Sequence, residues 1–411
     1  MSFCFSSAEI LLPDFTNIDG EKYAVIACDQ YTSEPQYWET AEKIVERAPS
    51  ALRFVLPELY LESADVDARK AAIEKAMQSA LAGGFFERHE NAMIYLERTQ
   101  RDGRVRCGVI GKIDLECYDY EKGSTPKIRA TEGTVLSRIP PRAEVRSHAQ
   151  FELPHVMLLF DDKEDAILSP LAETVKGRAP LYDFDLMQGG GHVRGFLMTS
   201  EEQSAMLARM QNTLDEAFPF AVGDGNHSLA AAKAHYESLK RTYGCEAVKD
   251  HPARYALVEA VNIASPALTF EPIYRVVFDA PKTIVADLRT YLEKEGKACY
   301  GAGEILCVSA EGREAVTFAH GTHSLTVGTL QRFLDAYLAE HPQSKIDYIH
   351  GDYSLVTLAS KEGAVGFLFG GMEKSELFPS VGKDGALPRK TFSMGEAYDK
   401  RYYLEARMIT K

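Results

Sequence analysis

Apolar positions along the chain recur at two periods, and the elements they predict alternate. Residues 65–82 (DVDARKAAIEKAMQSALA) read as the clearest early helix, which Asp65 or Asp67 is placed to cap and Gly83-Gly84 ends. The runs AMIYLER (92–98) and VRCGVIGKIDL (105–115) alternate instead, and Asp102-Gly103 between them predicts a hairpin. Residues 34–47 and 201–218 have helical spacing, whereas 22–28, 155–162, 181–184 and 194–198 read as strands. Further on, strands are expected at 254–263, 273–280, 346–351 and 364–372, and helices at 283–296 and 329–341. Two more strand-like runs, EILCVSA and EAVTFAH, lie between those helices. From 120 to 150 the periodicity dissolves. Arg129, Arg138, Arg142 and Arg146 gather there around two adjacent prolines.

This order of elements predicts an α/β (α+β) chain with mixed sheets. Two units are expected, 1–265 and 266–411, divided at the turn-prone Ser265-Pro266. Lys390 and Thr391 are expected to return to the site of the first unit. The charge balance, 46 basic against 60 acidic residues for a net of −14, argues against a general nucleic-acid coat. It leaves room for one basic pocket, and the arginine segment is either that anion-binding surface or a solvated loop paired with surface carboxylates. The seven cysteines (4, 28, 107, 117, 245, 299 and 307) form no Cys-x-x-Cys pair, so reduced thiols in a cytoplasmic protein are expected. No signal peptide and no apolar run of the ~18 residues that span a bilayer is visible, so no membrane partner is expected.

The most informative stretch is PFAVGDGNHSLAAAKAHYESLKRT, residues 219–242. An apolar strand enters two glycines flanking Asp224 and leaves into an alanine-rich helix. Gly223 and Gly225 allow close backbone approach, and the helix start at Asn226, His227 and Ser228 carries the partial positive charge that suits a phosphate. Asp224 can hold Mg²⁺ or orient a substrate hydroxyl. The plainer alternative is a turn and N-cap made by Asp224 and Asn226. Elsewhere, His192 follows three glycines, and Asp29 opens a polar cluster after the first strand. Cys28 has no local activating base. His148, His155, His320 and His350 occur singly and read as structural.

Asp-Gly-x-His at a strand–helix junction resembles the phosphate-binding loop of the ParB/sulfiredoxin superfamily, in particular that of its free serine kinases. More broadly, the chain resembles the DUF1015 family. Lys127 to Arg146 is similar to a family segment in which Glu132 and Thr134 match its Glu and Thr, while Ala130 stands in place of its His. Gly190-Gly191-His192, Tyr274-Arg275-Val276-Val277 and Leu387-Pro388-Arg389-Lys390-Thr391-Phe392 are similar to three further family stretches. Ser228 stands where the superfamily loop has a phosphate-holding arginine, so Arg138, Arg142, Arg146 or Lys390 is expected to supply the charge.

The resemblance implies a small-molecule kinase transferring phosphate from ATP or ADP, with Mg²⁺, to a hydroxyl. It assigns Glu132 or Asp29 as the proton acceptor, and Asp224 and His227 to the catalytic loop. Gly223, Gly225, Asn226, Ser228, Thr134, His192, Lys390, Thr391 and the arginines are assigned to phosphate or nucleotide. Two alternatives remain: a non-catalytic nucleotide sensor, and a metal-dependent hydrolase using Asp224, His227 and His192. The pattern specifies no substrate, metal or oligomeric state.

Overall fold

A computed structural model describes residues 3–295 and 301–411. Cys299 and the end of the 283–296 helix lie outside these. The chain forms mixed and antiparallel sheets with helices, and it divides into two compact units. The first comprises 1–130, 134–268 and 396–411; the second comprises 131–133 and 269–395. The expected division at 265–266 lies three residues from the observed one, but the expected second unit was too long. Residues 396–411 belong to the first unit, because their short strands pair within it: Tyr402–Tyr403 with Val25–Ile26, and Arg407–Met408 with Phe151–Glu152.

A ten-stranded mixed sheet organises the first unit. Its strands follow the order Tyr182–Leu186, Gly191–Leu197, Ile94–Thr99, Val105–Asp114, Tyr255–Asn262, Met157–Phe160, Phe220–Asp224, Ile128–Ala130 and Tyr118–Asp119, with Phe5–Ser6 beside Val105–Asp114. Neighbouring residues of one strand enter different cores: Tyr95, Val109 and Val258 pack into one apolar cluster, and Ile94, Ile110 and Leu257 into another. Both faces are therefore covered, so apolar residues fill consecutive positions such as Ile94-Tyr95 and Val109-Ile110 in runs that the sequence pattern presents as alternating. The hairpin forms where Asp102-Gly103 predicts it, with Thr99 opposite Val105.

Near the Gly-rich turn, Met157 faces Asp224 while Leu158 faces Val222. Gly223 is thus the extra residue of a β-bulge, a device that re-aims the side chain beside it. Its missing side chain leaves room for Leu159. The parallel partner of this strand is Ile128–Ala130. The following arginine segment is not irregular: Ile139–His148 is a helix with proline in its first turn. Proline there sacrifices no hydrogen bond and presets φ, so the prolines start this helix.

The second unit carries an antiparallel six-stranded sheet centred on Phe270–Phe278. Arg275 is buried in it and donates to the carbonyls of Arg389 (3.0 Å) and Lys390 (2.9 Å) and to Gln331 Oε1 (3.0 Å). Leu387 bridges to Glu132, and its amide bonds the Thr131 carbonyl. Glu132, Lys390 and Thr391 are thus residues of this unit, two of them on a segment anchored by a buried arginine.

Candidate functional site

The 219–242 stretch folds as strand Phe220–Asp224, turn, and helix Asn226–Tyr243. Gly225 is the helix N-cap at φ +80°, and a Cβ there would meet Val156 at 3.0 Å. Both facts require glycine. The Gly225 amide donates to Asp224 Oδ1 (3.0 Å), and Asp224 Oδ2 is buried with no hydrogen-bond partner, 3.6 Å from Lys400 Nζ. Across the turn, the Val135 amide donates to His227 Nε2 at 3.3 Å. Thr134 Oγ1, one residue earlier, is buried and has no hydrogen-bond partner.

Ser228, in the first helical turn, meets a group that sequence reasoning set aside. His155 Nε2 lies 3.2 Å from Ser228 Oγ and 3.7 Å from Asp29 Oδ2. Its Nδ1 lies 2.8 Å from the Tyr403 hydroxyl, which also accepts from the Cys28 amide (3.1 Å). With Nδ1 engaged by the Tyr403 hydroxyl, Nε2 is the ring nitrogen left to face Ser228 and Asp29, an assignment made from this network. Ser228 and Asp29 therefore share one ring nitrogen. A Ser-His-Asp triad needs them on opposite nitrogens, so acyl-transfer chemistry is disfavoured.

Asp29 reaches this cluster because the Val25–Ile26 strand pairs with Tyr402–Tyr403, and the Ala27 amide bonds the Arg401 carbonyl (2.9 Å). One short pairing thus brings Asp29, Lys400 and Tyr403 together. Burial opposes ionisation of Asp29, yet His155, a hydrogen bond from Gln30, and Lys400 hold its carboxyl below the usual range. Burial, with Asp29 beside it, pushes the Cys28 thiol up to about 12, which removes it as a nucleophile.

The other expected residues divide. Arg142 donates to Glu58 and to the Arg138 carbonyl, and Arg146 pairs with Glu152 at 2.6 Å, so their carboxylate partners lie inside the fold. Arg129 bonds the Pro126 carbonyl, and the Arg138 residue is exposed. The cation beside Asp224 is Lys400 instead. His192 is held on its own hairpin, with Nδ1 2.7 Å from Asp185 and Nε2 2.6 Å from Asp183. The glycines before it serve packing: a side chain on Gly190 would strike Tyr402, and Gly191 has φ +88° against the Thr99 carbonyl. A hydrolase built on Asp224, His227 and His192 loses its third ligand. Among the described residues no group of three or more His, Cys, Asp or Glu side chains could hold a metal. None of their helices is long and apolar enough to cross a membrane.

Sequence reasoning missed His155, Lys400 and Tyr403, whose partners lie far away in the chain. The one available signal was charge embedded in an apolar run, Arg401-Tyr402-Tyr403-Leu404-Glu405-Ala406-Arg407.

A family model described as "Protein of unknown function (DUF1015)" matches residues 14–337. No curated protein is matched. Among solved structures, a free serine kinase variant in complex with ADP aligns with TM-score 0.39 and 12% identity, covering 73% of this chain and 92% of the other. A conserved hypothetical protein from Pyrococcus furiosus aligns with TM-score 0.36 and 10% identity over 73% and 94%. SbnI from Staphylococcus aureus, with a C-terminal truncation, gives 0.36 and 10% over 70% and 82%.

Proposed function

The chain belongs to the DUF1015 family, and from that premise we propose that its first unit is a small-molecule phosphotransferase, using a nucleotide as phosphoryl donor. The observation that carries the reading is the convergence of Asp29, His155 and Lys400 on the 224–228 turn. The helix start and the Lys400 ammonium receive the nucleotide phosphates. Lys400 takes the place of the arginine that the loop lacks. Asp224, with one buried oxygen lacking a hydrogen-bond donor, is the carboxylate that would hold a magnesium ion. Such an ion supplies charge neutralisation across phosphate oxygens when bound. Asp29 accepts the proton of the substrate hydroxyl as its oxygen bonds to phosphorus, the phosphorus–oxygen bond to the nucleotide breaks, and the shortened nucleotide leaves with that electron pair. His155 keeps Asp29 ionised and oriented.

The test is transfer of label from γ-labelled ATP, or β-labelled ADP, to a panel of small hydroxyl compounds with Mg²⁺. Asp29→Asn is expected to lower turnover by about 10²–10⁴-fold, the usual worth of a general base, with nucleotide affinity unchanged. Nucleotide binding without transfer to any hydroxyl compound would leave the sensor reading in its place.

A further inference from the structure

Behind His155 and Ser228 the first unit has a half-open cavity of about 180 Å³. Its wall is mostly apolar, built by residues such as Phe54, Met77, Leu229 and Ala231. Cavities of roughly 150 Å³ accept a molecule the size of benzene. Four charged groups, the guanidiniums of Arg142 and Arg146 and the carboxylates of Glu58 and Glu152, interrupt this apolar wall.

Arg142 is satisfied by Glu58 and the Arg138 carbonyl. Arg146 is not. Its Nη1 pairs with Glu152 at 2.6 Å, while Nε and Nη2 are buried without a hydrogen-bond partner. Those two nitrogens form the side edge of the guanidinium, whose parallel N–H groups match the two oxygens of a carboxylate. Buried donors left unmet are costly, so an edge held in this state calls for an acceptor.

The charges agree. Glu152 also receives Arg407, at 2.8 Å, so one carboxylate serves two guanidiniums and the group keeps a positive surplus. Burial, and then the charge of Arg146, push His235 nearby down to about 4, which leaves that imidazole neutral. With Arg142 balanced by Glu58, and Arg146 and Arg407 sharing Glu152, one surplus positive charge beside a mostly apolar cavity matches a monoanion. A phosphate dianion would bring excess charge and oxygen acceptors that the wall has few donors to meet.

We propose that this cavity binds a small monocarboxylic acid with an apolar body, its carboxylate held side-on by Nε and Nη2 of Arg146. The site stands whether or not the phosphotransfer reading holds, because binding here requires neither nucleotide nor turnover.

The experiment is calorimetric titration of the full chain, without nucleotide, using 3-phenylpropionate and hexanoate. The matching alcohols 3-phenylpropanol and hexanol, and inorganic phosphate, serve as controls. The acids are expected to bind about ten- to a hundredfold more tightly than the alcohols, the range for a charged hydrogen-bonded contact. Arg146→Gln should remove that preference. Ala231→Leu, which fills the cavity and leaves the Arg146–Glu152 pair intact, should abolish binding of acid and alcohol alike. Should Arg146→Gln fail to fold, Ala231→Leu decides. No binding of either acid to the wild type, acid binding unchanged by Ala231→Leu, or phosphate binding more tightly than both acids would overturn the proposal.

Discussion

Two groups of charges in the first unit adjoin in the chain at Lys400 and Arg401, yet they are built to opposite specifications. In one, Glu259 accepts Arg106 at 3.2 Å and Arg401 at 2.9 Å, and Glu405 accepts Arg401 and the Tyr182 hydroxyl, both at 2.5 Å. Remaining donors go to backbone: Arg401 Nε to the Pro154 carbonyl and Arg106 Nη1 to that of Asp399. The four charged side chains are at most 2% exposed. In the other group, Asp29 is 26% exposed, and its separation from His155, like that of Lys400 from Asp224, exceeds 3.5 Å. The first group is complete in itself. The second keeps bonding capacity in reserve, as a binding site must.

The two are joined by covalent neighbours. Arg401 follows Lys400, and the Pro154 carbonyl it grips precedes His155. The closed network thus fixes the backbone on which the open cluster hangs, as preorganisation of a site requires.

The comparison breaks first at Glu259. Glu259→Gln leaves Arg106 and Arg401 without their shared counter-charge, and an expected loss of ~3–5 kcal/mol follows from stranding buried charge. Chemical denaturation measures it; a loss within experimental error would mean that the network is not closed. The same carboxyl carries a pH dependence. Burial opposes its ionisation, but Arg106 and Arg401 hold it below the ordinary range. Its contribution to stability is therefore complete above the unfolded value of ~4.3 and disappears as the pH falls through the lower folded one. Denaturation midpoints measured from neutral to acid pH should fall more steeply for wild type than for Glu259→Gln.

The open cluster should answer in affinity rather than stability. Lys400→Ala is expected to weaken nucleotide binding by ~1.5–3 kcal/mol, the worth of a charged hydrogen bond. Calorimetry with ATP and ADP reads this, and a midpoint shift comparable to that of Glu259→Gln would place Lys400 in the wrong group. The smallest effect belongs to His192. His192→Asn removes exposed pairs worth at most about 1 kcal/mol each and should leave nucleotide affinity untouched. A change in affinity would return the glycine run to the site.

What local pattern could reveal follows the same division. The strand, positive-φ glycine and alanine-rich helix of 220–243 are contiguous, so spacing and helix propensity announce them. The capping box of Thr199 and Glu202 likewise needs only four residues. His155 gave no such sign: Ser228, Asp29 and Tyr403 lie 73, 126 and 248 positions away, and no periodicity links them. The arginine helix was misread because two prolines suggest irregularity unless their first-turn position is known. Its arginines, offered to an anion by the sequence, met Glu58 and Glu152 in the fold. The pairing of Val25–Ile26 with Tyr402–Tyr403 was equally hidden, since two-residue strands lie below any useful window.

The discontinuity of the first unit gives its assembly an order in time. Residues 269–395 leave the ribosome after the strand bearing Glu259 and before Arg401. At ~5–20 residues per second that interval lasts on the order of ten seconds. Throughout it the nascent first unit holds Glu259 with only Arg106 for a partner, and it has neither Lys400 nor Tyr403. The last strip of the first unit then brings Arg401 to Glu259 together with its own Glu405, and Lys400 and Tyr403 to the open cluster. The closed network and the open cluster are therefore completed together, and a chain halted inside the second unit has neither complete.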